Sequence, residues 1–262
     1  MITNKQREIV TKRSKTAVER LMLKHIDRFN NLLYGIQISP DLFSFKNAKI
    51  RGKVGNLTKL LEEEVYNLIV YYASANMDGK EDKKDILAYI NRDRDGKYLK
   101  EIISNHIKTL NSEIEAYIEM ALFFSIAIPT SLSILKRDIK NPYNTELIKK
   151  GYKDIKKPNN NILKSKGNTV KVGNYKTSLA NIKRMAGFIV IEAITNRMVN
   201  KFMLDGFVKI GVRRGSSYPC DLCDSMVGVY PIDSFPMPPF HGGCYCNVYV
   251  VPNIKKYGNS NN

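Results

Sequence analysis

At 262 residues, with 43% hydrophobic and 26% charged side chains, the chain has the composition of one large folded domain or two modest ones, which excludes wholesale disorder. Its 42 Lys and Arg against 25 Asp and Glu give a net charge of +17, pointing to an anionic partner: nucleic acid, a membrane surface or an acidic protein face. That charge is local, since Lys136–Arg184 holds 14 basic and 3 acidic residues.

The first residues, Met1 to Glu8, contain no apolar stretch and no cleavage site, so a secretory signal is not expected. An amphipathic helix is predicted over Asn4–Leu33, with Val18, Leu21, Met22, Ile26, Phe29 and Leu33 on one stripe. After an interruption over Leu42–Gly55, a second helix is predicted at Leu57–Ala75, capped by Asn56 and ended by Asp78-Gly79. Its apolar face is Leu57, Leu60, Leu61, Val65, Leu68, Ile69 and Tyr72. Further helices are expected at Glu81–Ile90 and from Tyr98 to about Ile128, where Pro129 stops the run. The uncharged segment Met120–Leu135 is too short for a membrane span and reads as a buried core helix.

Between Asn141 and Ser178 periodicity dissolves into Asn, Gly and Lys, which reads as a basic loop or arm. Lys149, Lys150, Lys156 and Lys157 are its candidate nucleic-acid contacts, with a plain solvated linker as the competing reading. Helical spacing returns at Leu179–Leu204, with Ile182, Met185, Ala186, Ile189 and Ala193 sharing a face and Gly206 as a left-handed stop. Phe207–Arg214 alternates as a half-buried strand, with Val208, Ile210 and Val212 on one side, and Asn247–Val251 reads as a closing strand. The fold class expected is α+β: a helical region over 1–140, a basic arm over 141–178, a small α/β module with a zinc knuckle over 179–252, and a polar tail over 253–262.

All four cysteines and one of the three histidines lie between Cys220 and Cys246. The spacing C-x2-C followed by H-x2-C-x-C offers soft thiolates and an imidazole from two tight turns, which suits Zn2+. Two disulfides, or four buried thiols, are the competing readings. The first needs an oxidising compartment, and the second leaves the clustering with a histidine unexplained. The favoured ligand set is Cys220, Cys223, His241 and Cys246, with Cys244 as a substitute or supporting thiol. A set saturated by side chains leaves no open position for water, so the zinc is expected to be structural.

No enzyme is expected. His25 and His106 fall in amphipathic helices without a companion acid or base, and Glu62-Glu63-Glu64 reads as a solvated helix flank. The alternative is a stand-alone zinc-dependent nucleic-acid-binding protein or nuclease. Against it, Cys220–Cys246 contains three Asp and no Lys or Arg, so the knuckle itself is poorly suited to phosphate. A packaged toxin or effector is a third reading for the front half.

The order Glu192-Ala-Ile-Thr195-Asn196-Arg197, a helix stopping at Gly206, a Val/Ile strand, Cys220-x2-Cys223, Gly228 and Pro238-Pro239-x-His241-x2-Cys244-x-Cys246 resembles the Mu F-like phage head morphogenesis family. These are minor head, or minor capsid, proteins of tailed bacteriophages. The resemblance covers Leu179 to Pro252; Tyr245 stands where the family usually has Arg, and Gly242-Gly243 where it has Pro-Asn. It implies a virion protein in the head interior or at the portal vertex, made and assembled in the host cytoplasm. Implied partners are the portal protein, the inner capsid surface and packaged double-stranded DNA, with room for a homo-oligomer.

Overall fold

The computed structural model describes residues 4–32, 45, 48–74, 80–94, 96–127, 162–165, 168–171, 176–215, 218–241 and 244–252. In chain order these form α1 (Asn4–Leu32), α2 (Ala48–Ala73), α3 (Lys80–Ile90), α4 (Leu99–Ala127), β1 (Ile162–Ser165), β2 (Asn168–Lys171), α5 (Lys176–Leu204), β3 (Lys209–Arg213), α6 (Asp221–Ser225), β4 (Gly228–Pro231) and β5 (Asn247–Val250). The protein is mostly helical with a small antiparallel sheet near its C-terminal end, an α+β layout. None of the described helices is long and apolar enough to cross a membrane.

Two compact units interleave along the chain, one built from Met1–Lys15, Ile69–Arg92 and Arg184–Asn262, the other from Thr16–Leu68 and Asp93–Lys183. The second unit is helical at its centre. Val18, Met22, Ile26 and Phe29 of α1 are buried at spacings of four, four and three, and Leu99, Ile103, Ile107, Leu110, Ile114 and Ile118 of α4 repeat the pattern. Before α4 the chain turns sharply at Gly96 (φ +77°), where Arg94 and Lys97 exchange backbone hydrogen bonds. Glu101 Oε2 then accepts from the Tyr98 N–H at 3.0 Å, satisfying a free amide at the start of α4.

Three expectations in this unit change. α2 begins at Ala48, so Asn56 lies inside the helix rather than capping it; apolar Ile50 and Val54 extend the buried stripe backward through two glycines. Leu60, expected on the apolar face, is exposed. Part of the expected arm is a hairpin in which β1 pairs antiparallel with β2, from Ile162↔Lys171 to Ser165↔Asn168. Lys149, Lys150, Lys156, Lys157, Pro129 and the tail from Asn253 lie outside the described residues.

The first unit centres on α5. From Ala186 to Val199 this helix is buried on nearly every side, because Ala186, Gly187 and Ala193 let neighbours approach while Val190, Ile191 and Ile194 fill the space between. One buried stripe was expected; the structure makes α5 the core of the unit, with Met185 only half-buried. The helix stops as Gly206 takes φ +81°: Gly206 N–H bonds to Met203 O at 3.0 Å and Phe207 N–H reaches Phe202 O at 3.0 Å. The Phe202 and Phe207 rings meet edge-on at 6.3 Å across this stop.

The sheet runs β4-β3-β5, with β3 in the middle and antiparallel to both neighbours. Ile210, Val212 and Val248 are buried on its inner face; Val208 precedes the strand and is exposed, contrary to its expected place beside Ile210. Gly211 lies under the Tyr249 ring, where any Cβ would be 2.0 Å from ring carbon. α6 and β4 both fall inside the cysteine window, where no regular element was expected.

Candidate metal centre

The sheet topology brings the ligand-bearing segments together. β3 leaves at Arg213, opposite Asn247 at the entry of β5, and Val212 pairs with Gly228 at the entry of β4. The chain after β3, before β4 and before β5 therefore occupies one end of the sheet. Cys220 and Cys223 precede β4, while His241, Cys244 and Cys246 precede β5.

Local turns aim the side chains. Cys220 is the extended residue in front of α6 (φ −157°, ψ 102°), and its carbonyl accepts from Asp224 N–H at 2.9 Å. Cys223 sits one turn later on the same side. Arg214 Nη1 holds both carboxylate oxygens of Asp224, at 2.6 and 2.8 Å, tying the exit of β3 to α6. A turn closed by Cys244 N–H to His241 O at 3.0 Å brings the second group of ligands around, with Pro238 and Pro239, joined by a cis bond, buried behind it.

Five side chains converge. Cys220 Sγ and Cys223 Sγ lie 3.4 and 3.1 Å from His241 Nε2, and Cys223 Sγ lies 3.8 Å from Cys244 Sγ. Tetrahedral zinc with bonds of about 2.3 Å to sulfur and about 2.0 Å to nitrogen needs S···S of ~3.8 Å and S···N of ~3.5 Å, so the Cys223–Cys244 and Cys220–His241 edges fit and the Cys223–His241 edge is shorter. Two triads, Cys220/Cys223/His241 and Cys223/Cys244/Cys246, share Cys223, with all ligand atoms of each within 4.8 Å of one another. Cys244 thus belongs to the cluster on the same footing as Cys246. This Cys/His cluster can hold a metal ion. All four cysteines are free thiols.

The cluster is its own small core: Cys223, Cys244 and Cys246 are buried, with Cys220 and Phe240 packed against them. Burial, reinforced by neighbouring thiols, pushes the Cys223 thiol well above the ordinary range, and burial likewise raises Cys246. Asp221, Asp224 and Asp233 are all exposed, so the acidic charge of the window faces solvent.

Three contributors come from outside the motif. Arg7, on the first turn of α1 and almost fully buried, donates through Nη1 to Thr195 Oγ1 at 3.0 Å and through Nη2 to Tyr245 O at 3.2 Å and Cys246 O at 2.7 Å. Thr195 in turn donates to Ile191 O at 2.8 Å within α5. Gly215 approaches so closely that a Cβ there would lie 1.7 Å from the Tyr245 carbonyl oxygen. Nothing local in the sequence marks Arg7, which precedes its cysteine partner by more than two hundred residues. Of the remaining histidines, His25 is a buried packing residue and His106 is half-buried; neither belongs to the cluster. Glu64 departs from the solvated-flank expectation, forming a two-point ion pair with Arg28 at 2.6 and 2.7 Å. No protein-family model, curated protein or solved structure matches the chain.

Proposed function

We propose that this chain is a minor head protein of a tailed bacteriophage, of the Mu F-like head morphogenesis kind, in which one structural Zn2+ fixes the C-terminal module. The observation that carries the reading is the convergence of Cys220, Cys223, His241, Cys244 and Cys246 at one end of a sheet fed by a buried helix that stops at Gly206. Three of the four thiols are buried, and side chains alone suffice to fill a tetrahedral shell. Such a metal contributes folding energy and orders the turns around it; it supplies no open position for a reacting water. The role is therefore architectural, with the portal protein and inner shell as partners and no catalytic step.

Contact with packaged double-stranded DNA is assigned to the basic stretch Lys136–Arg184, since the window itself presents exposed aspartates. Two measurements test the reading. Purified protein should hold about one zinc per chain by elemental analysis. Co-expressed with a cognate portal protein, it should co-purify with that protein; a zinc-loaded chain that ignores portal and shell proteins would retain the metal site and discard the head-protein role.

A further inference from the structure

We propose that Arg7 is a positioning residue of the metal centre: from the first turn of α1 it fixes the Tyr245–Cys246 peptide so that this peptide supports the Cys244 thiolate, and it offsets the negative charge of the loaded site. The inference rests on the zinc reading above.

The geometry is that of a single peptide unit held on both sides. Arg7 Nη2 donates to the Tyr245 carbonyl at 3.2 Å, and the N–H of the same peptide, on Cys246, points at Cys244 Sγ at 3.4 Å. A trans peptide places its C=O and N–H on opposite edges, so gripping the carbonyl aims the amide at the sulfur. A donor on the carbonyl also polarises the amide, strengthening the N–H···S bond. The same guanidinium nitrogen takes the next carbonyl, Cys246 O, at 2.7 Å, so the backbone on both sides of Cys246 is fixed by one side chain. Nη1 is anchored to Thr195 on α5, which leaves the fork little freedom.

Charge points the same way. Arg7 is buried, yet its hydrogen-bond partners among the described residues are a hydroxyl and two carbonyls, with no carboxylate. A buried cation without a counter-ion is costly. Zinc with three thiolates and one neutral imidazole carries one net negative charge, and the window that holds it has no Lys or Arg of its own. The loaded cluster is thus the anion that Arg7 otherwise lacks. Arg214, the nearby cation at the other end of the cluster, is already committed to Asp224. Outer groups that hold metal ligands typically matter 10–100-fold in metal affinity.

The test uses the full chain with zinc alone, comparing wild type with Arg7→Met, Arg7→Lys and Arg92→Met. The last removes the ion pair to Glu192 and the stacking on Tyr89 in the same unit and none of the three bonds that Arg7 makes, so it reports general destabilisation. The readouts are zinc per chain, the rate of zinc loss to a chromophoric chelator, and the sulfur-to-metal charge-transfer band after cobalt substitution. Arg7→Met is expected to lose zinc about 10–100-fold faster than wild type and to shift the cobalt band. Arg7→Lys keeps the charge but cannot span a hydroxyl and two carbonyls, so it should fall between the two; if Arg7→Met does not fold, Arg7→Lys carries the comparison. Loss rates and cobalt spectra matching Arg92→Met would overturn the role of Arg7 while leaving the zinc site intact. A wild-type chain that takes up no zinc would remove the site itself.

Discussion

His25 Nε2 donates to Asn111 Oδ1 at 2.9 Å, and the direction of that bond is set two residues away. Thr58 Oγ1 donates to the Val54 carbonyl at 2.8 Å, so it must accept from Asn111 Nδ2, at 2.7 Å; the amide oxygen then faces the imidazole. His25 is therefore the Nε2–H tautomer, and its Nδ1 is buried with no partner among the described residues. A second proton has no acceptor waiting. Burial lowers the His25 pKa to about 4, with Arg28 pushing the same way and Asn111 and Glu64 opposing.

Because the folded pKa lies below the unfolded one, the unfolded chain takes up the proton first. Stability is fully present above about pH 6.5 and is lost as pH falls toward about 4, by up to ~3 kcal/mol at ~1.4 kcal/mol per unit. Urea melts at pH 7 and pH 4.5 should show this loss, and His25→Leu should remove most of it. His106, also lowered by burial, contributes with the same sign in both proteins, so the difference isolates His25.

Two glycine substitutions should move stability in opposite directions. Gly215→Ala forces a methyl into the Tyr245 carbonyl and should cost about 1–3 kcal/mol, with faster zinc loss as the Cys244–Cys246 segment shifts. Gly52→Ala, at an exposed position inside α2 with nothing within 4 Å of the new Cβ, should gain about 0.5–1 kcal/mol. Thermal melts of the two variants beside wild type check both signs.

Zinc uptake should expel protons. Cys223 and Cys246 are held protonated by burial, and a thiol must ionise to bind metal, so about two to three protons should leave per zinc at neutral pH. Calorimetry in buffers of different ionisation enthalpy measures that number directly. The apparent affinity should weaken as pH falls; a pH-independent affinity would argue that the thiols are not the ligands.

For DNA, charge removal should show in the salt dependence. Neutralising Lys149, Lys150, Lys156 and Lys157 together should reduce the slope of log K against log salt by roughly 0.9 for each phosphate that these lysines neutralise. Filter binding or anisotropy at several salt concentrations reads the slope, and an unaltered slope would move DNA binding to another surface.

What the sequence disclosed follows from which interactions are local. α1, α3 and α4 lie within one or two residues of their expected ends, because the stripes Val18–Phe29 and Leu99–Ile118 repeat at helical spacing. The Gly206 stop was readable for the same reason. Asn56 misled, since a good capping residue in an exposed helix interior looks the same in sequence as one at the helix start. α6 and β4 were hidden within short segments whose partners are distant: Gly228–Pro231 is a strand because β3 lies beside it. In the site, the ligand types and spacing were legible, and Thr195 stood in the quoted helix motif, whereas Arg7, Gly215 and the bond from Arg7 to Thr195 were not. Their contributions arise only when α1, α5 and the strand ends are brought together, and no periodicity encodes that.

The sulfur atoms of Cys223, Cys244 and Cys246 are also the filling of the segment they belong to, with Cys220 and Phe240 packed against them among the described residues. A cysteine replaced by serine therefore removes a ligand and a piece of packing in one stroke, and the two losses cannot be told apart by mutation. Exchanging the ion instead of the side chain, with cobalt in place of zinc, keeps every cysteine of the segment. In this segment, metal substitution rather than mutagenesis is the perturbation that separates chemistry from architecture.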